Sequence, residues 1–168
     1  MKTIKNIKKS IVEVAQILAA DEEILKLIYI DTPDALSQPK PEITLNELIA
    51  QHYVCVIPPV ESGIKDSWRN TFITILLDNV YFNRRDDNTA ANLIIYVSTD
   101  EAHVLLDDNK MRMLEIVDKV IGLLDNKKIS GAGTLSVDSF THTMLSEFRS
   151  AYRISISCND QNTKKVEI

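Results

Sequence analysis

The residues that could act as nucleophiles, bases or metal ligands are few and scattered. There are two cysteines, Cys55 and Cys158, and three histidines, His52, His103 and His142. No CxxC, HExxH or close histidine pair occurs, so no zinc site is expected. Nucleophilic catalysis needs a hydroxyl or thiol, a base and an orienting group. No serine stands in a GxSxG elbow. His52 ends a short helix, where the dipole favours it. His103 falls at a strand end or loop and His142 in a Ser/Thr-rich loop, so both read as surface histidines. Glycine is scarce, and its one cluster, SGAG at 130–133, follows a helix. It therefore reads as a turn, not a phosphate cradle, which belongs at a helix N-terminus. The pairs Asp86-Asp87, Asp100-Glu101 and Asp107-Asp108 read as solvated acids. No catalytic residue, metal site or cofactor is expected. One enzymatic alternative remains, a non-standard site around His103, Asp100 and Glu101.

Other residues suit contact better than chemistry. Trp68, in SWRN, is either a rim-of-core tryptophan or an interface anchor. Arg84-Arg85 beside Asp86-Asp87 mark a charged hairpin tip, which is either simply solvated or reaches a neighbour. Arg153 lies on the polar face of an alternating strand. These six are the candidate interface residues, with the basic start of the first helix as a further contact.

The elements that position them follow from periodicity. Ile4, Ile7, Ile11, Val14, Ile17 and Leu18 recur at helical spacing. Asp21 can cap a second helix whose apolar side is Ile24, Leu25, Leu27 and Ile28; the two can also be one bent helix. Three prolines make 31–42 a loop. Thr44–Glu47 has the form of a capping box for a helix over 45–51. Residues 53–57 read as a brief strand. FITILLDNVYF (72–82) and NLIIYVS (92–98) read as an antiparallel hairpin with a long tip over 83–91. The main helix is expected over Lys110–Asp125, capped by Asp107 or Asp108. Its stripe is Met111, Leu114, Val117, Val120, Ile121 and Leu124, with Arg112, Glu115, Asp118 and Lys119 pointing elsewhere. Residues 134–137 suggest a short strand and 138–147 a polar loop. FRSAYRISISCN (148–159) alternates, with Tyr152, Ile154, Ile156 and Cys158 on one face and Arg153, Ser155 and Ser157 on the other.

The expected fold class is α+β. An antiparallel or mixed sheet carries one long amphipathic helix across it, with helices at the N-terminus. The order lacks βαβ regularity. A single domain is expected over 1–158, with a helical extension over 1–52 and a flexible tail over 159–168. The length of 168 residues, 45% hydrophobic and 26% charged, is ordinary for one globular domain. The net charge of −5 disfavours tight nucleic-acid binding, though not a wall that lets a duplex slide past. The lysine-rich start resembles a signal peptide, but Glu13 and Gln16 break its apolar run. No stretch approaches the roughly 18 apolar residues of a membrane span. The cysteines read as buried, reduced thiols, and a disulfide between them is possible only if their strands are neighbours.

The layout resembles small phage head–tail connection proteins, especially tail-terminator and tail-completion families. The resembling features are ILAADEEILKLIYID (17–31), the hairpin NTFITILLDNVYFNRRDDNTAANLIIYVST, the helix KMRMLEIVDKVIGLL, SGAGTL and FRSAYRISIS. The N-terminal extension is longer, and the hairpin-to-helix segment shorter, than in many such proteins. The resemblance implies a virion structural protein at the head–tail junction, assembled in the host cytoplasm. It implies a homo-oligomeric ring, often a hexamer in such families, joining tail-tube and neck or connector proteins, with DNA as a passing neighbour and no membrane partner. The alternative is a non-enzymatic adaptor module outside a virion.

Overall fold

The computed structural model describes residues 4–56, 70–83, 88–130, 133–146 and 149–159. Two helices open the chain, α1 (Ile4–Ala20) and α2 (Glu22–Tyr29). Asp21 separates them, because its carboxylate accepts from the Ile24 N–H at 2.9 Å and starts α2 afresh. They are thus two helices and not one. A 3-10 turn (Ala35–Ser37) interrupts the proline-rich loop. Thr44 and Glu47 cap each other's backbone at the start of α3 (Leu45–Ala50), as their spacing requires.

The strands are β1 (Val54–Cys55), β2 (Thr71–Asn83), β3 (Asn88–Asp100), β4 (Lys128–Ile129), β5 (Gly133–Ser146) and β6 (Arg149–Asn159). They form one six-stranded mixed sheet in the order β1-β2-β3-β6-β5-β4. Only β1 and β2 run parallel. Two expectations change here. The β2–β3 pairing continues to Asn83↔Asn88, so most of the supposed long tip is strand. The segment 138–147, expected as a loop, is largely the second half of β5, which pairs with β6 as far as Ser146↔Arg149.

Alternation sorts the sheet into two faces. Ile73, Ile75, Leu93, Ile95, Val97, Ile154 and Ile156 point into the core. The helix α4 (Arg112–Leu124) lies against β3, β5 and β6, while α1 and α2 lie against β2. The chain is therefore mixed α+β, but its sheet is covered by several helices and not by one long one. At 17 residues α1 exceeds the 13 of α4.

The stripe on α4 is also rotated from expectation. Met113, Ile116, Val117, Val120 and Leu124 are buried, together with Arg112. Met111 and Leu114 are exposed. Neither Asp107 nor Asp108 caps the helix. Met111 holds the N-cap position without a side-chain bond, and Asp108 instead accepts from the Lys110 N–H at 3.1 Å.

Cys55 and Cys158 are free, buried thiols. They stand on β1 and β6, which are not neighbours in the sheet, so no disulfide joins them. Burial, and secondarily the charge of Asp138, pushes the Cys158 thiol from its usual 9.0 up to about 11. Burial raises Cys55 as well. A raised native thiol pKa favours folding fully below pH 9.0 and loses that contribution as pH rises toward about 11, where the native thiol ionises too. Native protein is expected to react slowly with Ellman's reagent at pH 8 and to release two thiols on denaturation. A fast native thiol would contradict this placement.

Candidate functional site

The densest polar arrangement among the described residues surrounds the start of α4. Arg112 is fully buried and spends its whole fork of donors on backbone oxygens. Nε donates to the His103 carbonyl at 3.0 Å. Nη1 donates to Leu27 and Ile30 at 2.8 and 2.7 Å, and Nη2 to Asp31 and Thr32 at 3.3 and 2.6 Å. The acceptors include the end of α2, where helix carbonyls lack intrahelical partners and a cation is favoured. Burial lowers the Arg112 pKa, while Asp31 and Asp100 pull it back up.

Beside it lies the proposed enzymatic trio. Asp100 and His103 do come together: Nδ1 of His103 is 2.5 Å from Asp100 Oδ1, which also accepts the His103 N–H at 3.1 Å. Glu101 is exposed. Nε2 of His103 faces the Asn70 amide at 3.4 Å, and that amide donates to Asp31 at 2.7 Å. One tautomer satisfies this chain, with Nδ1–H donating to Asp100 and Nε2 accepting from Asn70. Both ring nitrogens are then engaged by groups of the fold, and among the described residues neither is bonded to a hydroxyl or thiol. The arrangement orients the His103 carbonyl toward Arg112, so its geometry ties α2, α4 and the end of β3 together. Arg149 extends it, donating to the Asn70 carbonyl at 3.2 Å and lying over the Phe72 ring at 5.1 Å. Among the described residues no group of three or more His, Cys, Asp or Glu is placed to hold a metal ion.

Of the six candidate interface residues, Trp68, Arg84, Arg85, Asp86 and Asp87 lie outside the described residues. The last four would connect the ends of β2 and β3. Arg153 is described. It sits half-buried on the sheet face away from the helices, opposite Tyr96 on β3 and Thr141 on β5, and donates to Ser155 at 2.9 Å. Ser157 on the same face donates to Asp138 at 3.0 Å. This side of β6 is a shallow polar strip, as its alternation implies.

An apolar surface escaped the sequence reading. Phe140 and Met144 on β5 are 48% and 52% exposed, and His142 between them is exposed too. Their register partners are Ile154, Tyr152 and Ser150, so all three lie on the helix-bearing face. Tyr152 holds Phe140 and His142 at ring distances of 6.0 and 5.5 Å. The signal was present as strict alternation of Phe140, His142 and Met144 with Ser139, Thr141 and Thr143.

A family model named YomW matches residues 21–158, more than half of the chain. The chain belongs to the YomW family. The match runs from the Asp21 cap of α2 to Cys158, one residue short of the end of β6, so it takes in the Arg112 cluster and nearly all of the sheet. The YomW name is that of a phage-derived gene and suggests a phage-associated protein. No curated protein sequence matches this YomW member.

Proposed function

We propose that this chain is a structural subunit of a phage head–tail junction, a ring-forming tail-terminator or tail-completion protein that joins the tail tube to the neck. Membership of the YomW family carries the reading, since it suggests a phage association that agrees with the layout resemblance. The geometry is compatible with it. The clustered ionisable groups at Asp100, His103 and Arg112 are spent on holding elements together, which leaves surface strips as the working parts. A ring needs two different complementary patches on each subunit. Arg153 and its neighbours on the outer face of β6 offer one, and the connection between β2 and β3 at 84–87 is the other candidate. Neck and tail-tube proteins are the expected partners, and DNA would pass without being gripped by a chain of net charge −5. Purified particles probed with an antibody to this chain test the reading. Label at the junction of head and tail is expected. Particles that lack the chain would sink it.

A further inference from the structure

The outer edge of β5 is covered at first: Gly133 and Thr134 pair with β4, Leu135 exchanges backbone bonds with Asn126 and Lys127, and the Val137 N–H donates to Asp125. From residue 138 onward no described strand pairs with it. Exposed edges usually carry charges, proline or bulges that block pairing. Here bulges fall only at the ends, between Val137 and Ser139 and between Met144 and Ser146. The regular run between them, Ser139–Met144, contains no Asp, Glu, Lys, Arg or Pro. It also bears Phe140 and Met144, both about half exposed.

We propose that this edge pairs antiparallel with the same edge of a second copy of this chain, about a two-fold axis at His142. The sequence is self-complementary in that register. Phe140 of each copy lies opposite Met144 of the other, on the helix-bearing face. Thr141 lies opposite Thr143 on the other face, a favourable cross-strand pair. A copy carries net charge −5 and would repel its like, but this register sets no acid against an acid. Asp138, the nearest one, falls opposite Ser146. A one-residue slip would separate Phe140 from Met144, so the apolar pair fixes the register. The contact is a short one, smaller than the roughly 800 Å² per partner of a standard interface, so the dimer is weak and concentration-dependent. It closes at two copies, and a ring would need a further, heterologous patch. The proposal deepens the assembly reading by naming a self-contact, and it rests on that reading only for the purpose of the contact.

Analytical ultracentrifugation of the full chain tests it. A rise from the 19.0 kDa monomer toward twice that mass with concentration is expected. Phe140→Asp should weaken association at least tenfold without changing the melting curve. His142→Cys should give a disulfide-linked dimer under mild oxidation, because directly opposed residues come within disulfide reach. Ser136→Cys, far from the axis, should not. The native cysteines are buried and should not compete. A chain that stays monomeric, or a dimer that survives Phe140→Asp and does not cross-link at 142, overturns the proposal. So does a monomer that dimerises only when residues 160–168 are deleted, since the chain's own tail would then hold the edge. Absence from particles would count against the head–tail reading and leave this contact standing.

Discussion

Replacing Arg112 with alanine is expected to destabilise the fold by about 3 kcal/mol or more, because it leaves several buried carbonyl oxygens without a donor. The buried guanidinium costs desolvation, and its bonds to five carbonyls offset that cost. Alanine relieves the first and forfeits all of the second. It strands the oxygens of Leu27 and Ile30 at the end of α2 without a donor, and each unsatisfied buried group costs about 1–3 kcal/mol. Lysine keeps the charge but brings a compact ammonium with three donors, which cannot reproduce the planar fork. Arg112→Lys should therefore recover only part of the loss. Urea denaturation followed by circular dichroism reads the effect. A midpoint for Arg112→Ala within about 0.5 kcal/mol of the parent, the range of ordinary surface changes, would show that the cluster does not tie α2 to α4.

That residue also marks where the sequence stopped being legible. Local signals were readable because their partners lie three or four residues away. Asp21 bonding Ile24, and Thr44 with Glu47, needed no tertiary knowledge. The faces of β6 followed from alternation alone, with Ile154, Ile156 and Cys158 inside and Arg153, Ser155 and Ser157 outward. By sequence Arg112 points away from the core, because an isolated charge belongs in water. What reverses the rule is the set of five backbone acceptors, four of them about 80 residues earlier in the chain. Once Arg112 turns inward the whole stripe rotates, Met113 and Ile116 go in, and Met111 and Leu114 come out.

The second half of β5 failed for a related reason. Residues 138–146 carry too little apolar character to declare a strand, and β-propensity depends strongly on neighbours. Pairing with β6 supplies the strand from outside. Asp100 and His103 were named together from proximity in sequence. Their hydrogen bond confirms the juxtaposition, and the His103 carbonyl accepts from Arg112 Nε beside it. Trp68 and the Arg84–Asp87 group stand out by residue type alone and lie outside the described residues.

Leu18→Ala should cost about 2–5 kcal/mol, the range for truncating a large aliphatic side chain in a core. The residue is worth testing because the YomW match begins at residue 21, after α1. If α1 were an appendage, its loss would be tolerated. The packing argues otherwise. Val14 and Leu18 have no exposed surface and belong to the same core as Ile24, Ile73 and Val120. Polar bonds fasten the helix to the turn after β4: Ser10 Oγ donates to the Ser130 carbonyl at 2.9 Å, and the Ser130 N–H donates to Glu13 at 2.8 Å. Val12 on the same helix is half exposed and supplies the control. Its replacement by alanine should stay within about 0.5 kcal/mol. A domain of this size is stable by only about 5–15 kcal/mol, so the Leu18 change should lower the urea midpoint visibly while unfolding stays a single transition. If Leu18→Ala proved as mild as Val12→Ala, α1 would be an extension docked on a finished domain. The large value would make it a wall of the core, and the folding unit would then begin before the matched region.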